Sequence, residues 1–488
     1  MNHQIRRVGL VMILLFVAMF AQLNYLQVVR ADHYANHPGN SRNAVRDFGE
    51  IRGSIRTADG KVIAESYLNP KKKSNYTYLR RYPAGSLYAH VTGYFSFTFG
   101  STGLERQYNA ELAGRKTALT TKRLTDMLRS KTVTSDVTIT INDELQRFAA
   151  RQLRKRKGSI VVLDPRTGAI LAMVSYPSYD PAVFAGTDFG ATQRAFDQLN
   201  ADTDKPLLAR TYRQAFPPGS TFKVITTATA IETQVAGPDT VYPLLRSLPL
   251  RYSTRPLRNF GGSQCGGPLS VAFRVSCNTA FAQLGLDLKP QRLSDGARAF
   301  GFNKRPPLDV SPGAASSFFP PVDFFVRNDP QLAQSAIGQG SVNATPLQMA
   351  MVAAGIANGG KIMKPHLMRD ITDSDGAQVE GEPGGVWQSA VSQATADSVK
   401  AMMIDAVNQG TGTRAAIAGV QVAAKTGTAQ TGRGTAHAWT IGFAPADNPR
   451  LAIAVIIEDQ PDSGAATGGR IAAPIVREVL TKALQVTG

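Results

Sequence analysis

From Val8 to Val29 the chain carries no charged side chain, and Val8-Gly9-Leu10-Val11-Met12-Ile13-Leu14-Leu15-Phe16-Val17-Ala18-Met19-Phe20-Ala21 is apolar throughout. About 20 such residues cross a bilayer as one helix, which satisfies all its backbone hydrogen bonds internally. Arg6 and Arg7 precede the run. Positive charge stays on the cytoplasmic side, so residues 1–7 are predicted to be a cytoplasmic tail, residues 8–29 a transmembrane anchor, and everything after Arg30 extracytoplasmic. The alternative is a cleaved signal peptide, which needs a small-x-small pair after the apolar stretch. Phe16-Val17-Ala18 and Met19-Phe20-Ala21 each open on a bulky residue, which favours an uncleaved anchor.

Export changes what the charge means. A net charge of +18 in a cytoplasmic protein would suggest nucleic acid as a partner. Outside the membrane, Lys71-Lys72-Lys73 and Arg154-Lys155-Arg156-Lys157 face lipid headgroups or anionic polymers, or are plain solvated surface. No nucleic-acid partner is expected. Cys265 and Cys277 are the only cysteines, an even count in a compartment where disulfides persist. Neither zinc-type spacing nor His-Glu-x-x-His occurs, so no metal or cofactor is expected.

The 488 residues suit two to four domains at roughly 100 to 200 residues each. Arg52-Gly53-Ser54-Ile55 and Ala58 to Ala64 read as short strands around Asp59-Gly60, and Leu104 to Leu112 as a helix, together a small α+β module. Asn142 to Arg156 reads as an amphipathic connecting helix with Leu145, Phe148, Ala149 and Leu153 on one face. A hairpin follows: Ser159 to Leu163, a turn at Asp164-Pro165-Arg166-Thr167-Gly168, then Ala169 to Val174. Three further strands are predicted late, at Val420–Thr428, Ala436–Phe443 and Leu451–Glu458, with a mostly helical region between and a closing helix over Ile471–Leu484. Strands and helices segregated along the chain argue an α+β fold, an antiparallel sheet with helices on its faces. The Gly-rich stretches at Gly261-Gly262 and Gly464 to Gly469 lack the flanking strand, helix and lysine of a phosphate loop and read as connections.

Pro217-Pro218-Gly219 stops one segment, and Val224, Ile225, Ala228 and Ile231 mark the face of a helix that begins at Ser220. Spacing by three stacks Ser220 and Lys223 on one side. A neutral amine there can take the hydroxyl proton if desolvation and a second nearby cation lower its pKa. The first turn of the helix offers free N–H groups to an oxyanion. Ser-x-x-Lys alone should occur about once by chance in a chain of this size. Its companions give it meaning: Ser276-Cys277-Asn278, and Lys425-Thr426-Gly427-Thr428 on a strand of small residues, an edge suited to pairing with an extended peptide.

The three motifs in this order resemble the penicillin-binding protein and serine β-lactamase superfamily. Arg52-Gly53-Ser54-Ile55, Gly103-Leu104-Glu105, Tyr176-Pro177, Gly338-Gln339-Gly340 and His437-Ala438-Trp439-Thr440-Ile441-Gly442-Phe443 extend the likeness to class B penicillin-binding proteins, and among them to the actinobacterial penicillin-binding protein A group. The resemblance implies a transpeptidase domain over 158–488 with a five-stranded antiparallel sheet, a pedestal or dimerisation-like module over 30–140, and a connecting helix over 141–157. It implies Ser220 as nucleophile, Lys223 as general base, and Ser276 as proton relay between Lys223, Lys425 and the departing amine. Asn278 would hold a substrate amide; Lys425, Thr426 and Thr428 would bind the terminal D-alanine carboxylate, with Gly427 also among the substrate-binding residues. The N–H groups of Ser220 and Thr428 would form the oxyanion hole. Cys277 stands where the common motif has Asp. In an extended turn it faces away from the cleft, and a Cys265–Cys277 disulfide bracing the motif is the hypothesis, with two buried free thiols as its alternative. His437 reads as a packing or hydrogen-bonding post rather than a base.

The activity so implied is peptidoglycan D,D-transpeptidation, with donor and acceptor stem peptides as substrates and β-lactams as acylating inhibitors. A D,D-carboxypeptidase, a β-lactam sensor or hydrolase, and a catalytically silent scaffold of the division or elongation machinery are the alternatives. No glutamate lies between Ser276 and Gly340, which removes the glutamate-activated water of one hydrolase class. The small module is too short for a glycan-polymerising domain, so a separate membrane glycosyltransferase is the expected partner.

Overall fold

A computed structural model describes residues 2–31, 34, 46–71, 74–115, 134–432, 434–461 and 467–487. Lys72 and Lys73 of the first basic cluster, and Gly464 to Ala466 of the second Gly-rich stretch, lie outside the described residues. The N-terminal helix runs Asn2–Asn24 and continues as a wider turn to Val29. It is the one helix among the described residues long and apolar enough to cross a membrane, and its apolar side chains are exposed.

The small module is built on a six-stranded sheet. Ile55–Arg56 and Val62–Leu68 form the hairpin around Asp59-Gly60, closed by Thr57 N–H to the Lys61 carbonyl at 2.9 Å. Tyr78–Arg81 and Asp136–Ile139 flank the hairpin. Two further strands, Met368–Thr372 and Gln378–Gly381, come from far along the chain and complete the sheet. The helix expected over Leu104–Leu112 is two short ones, Gly103–Gln107 and Asn109–Leu112, because Tyr108 leaves helical geometry at ψ 29°. Glu105, fully buried, joins the two motifs of this module: it accepts from Arg52 at 3.0 Å and Arg80 at 2.5 Å. Burial opposes its ionisation, but the two arginines outweigh that and hold its carboxyl below the ordinary value.

The connecting helix spans Asp143–Leu153. Asn142 caps its start by accepting from the Leu145 N–H at 3.0 Å. Arg154 ends it in the left-handed region. Part of the second basic cluster has local structural partners: Arg156 donates to the carbonyls of Leu153 and Gln152, and Lys157 pairs with Asp204 at 2.9 Å.

The large module holds a five-stranded antiparallel sheet in the order Ala423–Gln430, Thr435–Ala444, Leu451–Pro461, Gly158–Leu163, Ile170–Tyr176. Both faces are covered. On one lie the connecting helix and the C-terminal helix Gly468–Val486, packing Leu145, Ala149, Val476 and Leu480 against Ile160, Val162 and Val455. On the other, Pro346–Ala357 is buried along its whole length, as expected of a helix apolar all round. The long middle region holds helices and three two-stranded sheets. The first sheet strand, Ala423–Gln430, has one open edge, and that edge faces the site.

Candidate active site

The residues before Ser220 are held from two sides. Trp439, fully buried, donates its indole N–H to the Pro217 carbonyl at 3.0 Å. Gly219 (φ 55°) donates its N–H to the Gly338 carbonyl at 2.9 Å, and a Cβ at Gly338 would run into the Gly219 carbonyl. The helix expected to begin at Ser220 opens instead with a tighter turn, Gly219–Phe222, before regular helix over Lys223–Glu232. Pro217, Pro218 and the Gly338 contact hold the backbone that leads into this tighter turn. Residues three apart eclipse in such a turn, so Ser220 and Lys223 still share a side.

Ser276, expected in an extended turn, sits in the left-handed region at φ 61°. The reason is the immediate start of the helix Asn278–Ala299, which needs a reversal just before Cys277. Such a conformation costs a serine roughly 1 kcal/mol and is typical of functional positions. Cys277 faces away, 1% exposed, and its sulfur is bonded to that of Cys265. Asn259 adds a second tie, accepting from the Thr279 N–H at 2.9 Å and donating to the Leu245 carbonyl at 2.8 Å.

The three motifs converge. Lys223 Nζ donates to the Ser276 carbonyl and to Asn278 Oδ1, each at 2.8 Å, and approaches Ser276 Oγ at 3.3 Å. Lys425 Nζ donates to the same Ser276 hydroxyl at 2.9 Å and to the Thr426 carbonyl at 3.0 Å. Ser276 Oγ thus bridges the two amines. Both lysines are fully buried, with Lys223 Nζ 5.2 Å from the Phe281 ring centre and Lys425 Nζ 5.6 Å from that of Phe273. Burial, and then the charge of Lys425, push the Lys223 amine well below its ordinary value. Burial alone lowers Lys425 to about 7. None of Lys223's hydrogen bonds among the described residues goes to Ser220. Catalytic contacts of this kind often tighten only when substrate is bound.

Ser220 opens on a cleft of about 410 Å³. Thr426, Gly427 and Thr428 line one wall, Ser276 and Asn278 the other. A second groove of about 650 Å³ continues past Asn278, Gln339 and Thr428 toward Arg258 and Gln430. Gln339 donates to the Thr428 carbonyl at 3.4 Å, and the Gly468 N–H reaches the Thr428 hydroxyl at 3.3 Å. His437 lies outside this group. It is buried against Phe216 and accepts from the Asp459 N–H at 3.2 Å, the post expected of it.

Sequence reasoning gave no role to Trp439 or Gln339, although both lie within stretches that carried the resemblance. Thr411, Arg414 and Arg470, which also line the cleft, had no local pattern to mark them. Among the described residues no group of three His, Cys, Asp or Glu side chains could hold a metal.

Residues 158–481 match the penicillin-binding protein transpeptidase domain, and residues 52–136 the penicillin-binding protein A dimerisation domain. The chain is 41% identical to the peptidoglycan D,D-transpeptidase PbpA of Mycolicibacterium smegmatis over 99% of both chains. It is 38% identical to PbpA of Mycobacterium tuberculosis, again over 99% of both. Among solved structures, the penicillin G acyl-enzyme complex of penicillin-binding protein A from M. tuberculosis superimposes with a TM-score of 0.82 at 37% identity, covering 89% of this chain and all of that one.

Proposed function

This chain belongs to the penicillin-binding protein transpeptidase family and is a serine-type peptidoglycan D,D-transpeptidase; from that premise we propose that Ser220 is its nucleophile and that Lys223, Ser276 and Lys425 move the proton. Ser220 Oγ bonds to the carbonyl carbon of the terminal D-alanyl-D-alanine amide and loses its proton to Lys223. A neutral lysine keeps two N–H donors, enough for the Ser276 carbonyl and Asn278, and one lone pair for that proton. Charge on the carbonyl oxygen is held by the N–H groups of Ser220, in a first turn without intrahelical acceptors, and of Thr428. The C–N bond then breaks. Lys223 passes its proton to Ser276, whose own proton goes to the leaving D-alanine amine.

An acceptor amine then attacks the ester, the new C–N bond forms, the C–Oγ bond breaks, and the proton returns to Ser220 by the same route. Lys425, Thr426 and Thr428 bind the donor's carboxylate while Asn278 binds its amide, and Gly427 keeps the strand open to the peptide. The single observation that carries these roles is one hydroxyl, Ser276 Oγ, shared by two buried amines with no ion-paired carboxylate among the described residues. Labelled penicillin should acylate the wild type and fail on Ser220→Ala. Equal labelling of both would refute the assignment.

Arg6 and Arg7 ahead of the apolar helix support a cytoplasmic N-terminus and an external catalytic module. Protease added to intact spheroplasts should then degrade the catalytic module and spare a short N-terminal tag. The match of the small module to a dimerisation domain supports a reading in which glycan polymerisation is carried out by a separate membrane glycosyltransferase. Its absence from gentle membrane purifications of this chain would contradict that partnership.

A further inference from the structure

On the Thr426 side of the cleft, Arg414 and Arg470 reach the same space as Ser220. Both side chains are exposed. Among the described residues neither has an ion-pair partner, and no aspartate or glutamate lines the cleft. Arg470 is the third residue of the helix Gly468–Val486, whose first turn holds no acid. The positive end of a helix disfavours a cation there, so the position gains nothing from its own element. Arg414 lies in the single turn Thr413–Ala415. These segments meet beside the motif strand: Gly469 abuts the Thr426 methyl and the Thr411 carbonyl, and Thr426 Oγ1 donates to Thr411 Oγ1 at 2.7 Å. The other groove, past Gln339 and Gln430, touches neither arginine.

The direction of the substrate gives this side its meaning. The donor peptide ends at its terminal carboxylate, which the Lys425–Thr428 segment holds, so nothing of the donor extends beyond that point. The acceptor amine must enter where the leaving amine departed, because aminolysis is acylation run backwards. Chain reaching past the carboxylate cradle therefore belongs to the acceptor. We propose that Arg414 and Arg470 form the acceptor-side subsite, recognising an acceptor peptide that bears a carboxylate beyond the one beside its attacking amine. The proposal rests on the transferase reading of Ser220.

D-Glutamate and D-glutamine are equal in shape and differ by one carboxylate. Offered to the acyl-enzyme formed from a D-alanyl thioester donor, they should partition in favour of D-glutamate by about fivefold, the scale of two exposed ion pairs. The preference should shrink in roughly 0.5 M salt. It should vanish in Arg414→Gln/Arg470→Gln and partly return with lysine at both positions; penicillin labelling reports that each variant is folded. Equal partition in the wild type, or a preference that survives in the double glutamine variant, overturns the subsite. Acylation with no amine product from either acceptor also refutes it and leaves the nucleophile standing. Failure of the wild type to acylate at all would instead remove the serine reading beneath it.

Discussion

Lys425 Nζ donates across 2.9 Å to the hydroxyl of Ser276, a residue 149 positions earlier in the chain. Through that hydroxyl the charge of one lysine bears on the basicity of the other, Lys223, 3.3 Å away on its far side. With both amines fully buried, each is pushed below its ordinary value, and the charge of Lys425 lowers Lys223 further.

A pH dependence follows from the lowered Lys425 amine. Lys425 is charged below about 7 and neutral above it, and only the charged form attracts a substrate carboxylate. The second-order rate constant of acylation by penicillin, which reports the free enzyme, should fall about tenfold per pH unit above that value. Stopped-flow or gel-based acylation kinetics across pH 6 to 9 would check this, and a flat profile would contradict it.

Ser276 combines a chemical and a backbone role that two substitutions separate. Ser276→Ala removes the proposed relay and should slow acylation by about 10²- to 10⁴-fold. Ser276→Gly removes the same hydroxyl but relieves the left-handed strain at φ 61°, so its acylation should fall equally while its Tm holds or rises. Unequal rates in the two variants would mean that the hydroxyl is not what the rate depends on.

In the small module, Glu105 is the carboxylate between Arg52 and Arg80. Glu105→Gln takes from two buried guanidinium groups the carboxylate they share, and urea unfolding should show a loss of about 3–5 kcal/mol. Because its carboxyl is held below the ordinary value, its stabilisation is present above the unfolded-state pKa and disappears as pH falls through the lower folded one. The gap between wild type and variant should therefore narrow under acid conditions.

The large sheet was legible because its strands are apolar runs bounded by turns. Gly158–Leu163, Thr435–Ala444 and Leu451–Pro461 begin and end within three residues of expectation. The strands Met368–Thr372 and Gln378–Gly381 were not, since Arg369, Asp370 and Glu380 break any apolar alternation; the first is recruited by pairing with a strand more than 200 residues earlier, and the second pairs with the first. At the site, Ser220, Lys223, Ser276, Asn278 and Lys425 were legible as motifs. The tight turn at Gly219–Phe222 and the left-handed Ser276 were not: the first is held by Gly338, distant in sequence, and the second by a reversal just before the helix Asn278–Ala299 that no residue pattern marks. Arg414 and Arg470 carry no local signal; their meaning comes from converging on one cleft.

Trp439 tests how much the loop before Ser220 depends on a single hydrogen bond. Trp439→Phe keeps most of the buried ring but leaves the Pro217 carbonyl without its indole donor, at a cost of about 1–3 kcal/mol. The proposed nucleophile Ser220, three residues further on, would lose its fixed position. Acylation should slow by roughly tenfold with little change in penicillin affinity, which the separation of binding and acylation rate constants would reveal.

Cys265 and Cys277 tie the strand Cys265–Pro268 to the residue just before the helix Asn278–Ala299, and so to the backbone carrying Ser276 and Asn278. Thiol labelling of the oxidised protein should find no reactive cysteine either folded or unfolded, and two after reduction. Closing a loop of this length stabilises by about 3 kcal/mol through the unfolded chain, so Cys265→Ala/Cys277→Ala should lower stability by that order. Asn259 also holds Thr279 and Leu245, so the variant should still fold and bind penicillin, and its acylation should slow only modestly. Two thiols labelled after unfolding without reductant would show that the bond is absent, and the bracing of the motif would then fall to Asn259 alone.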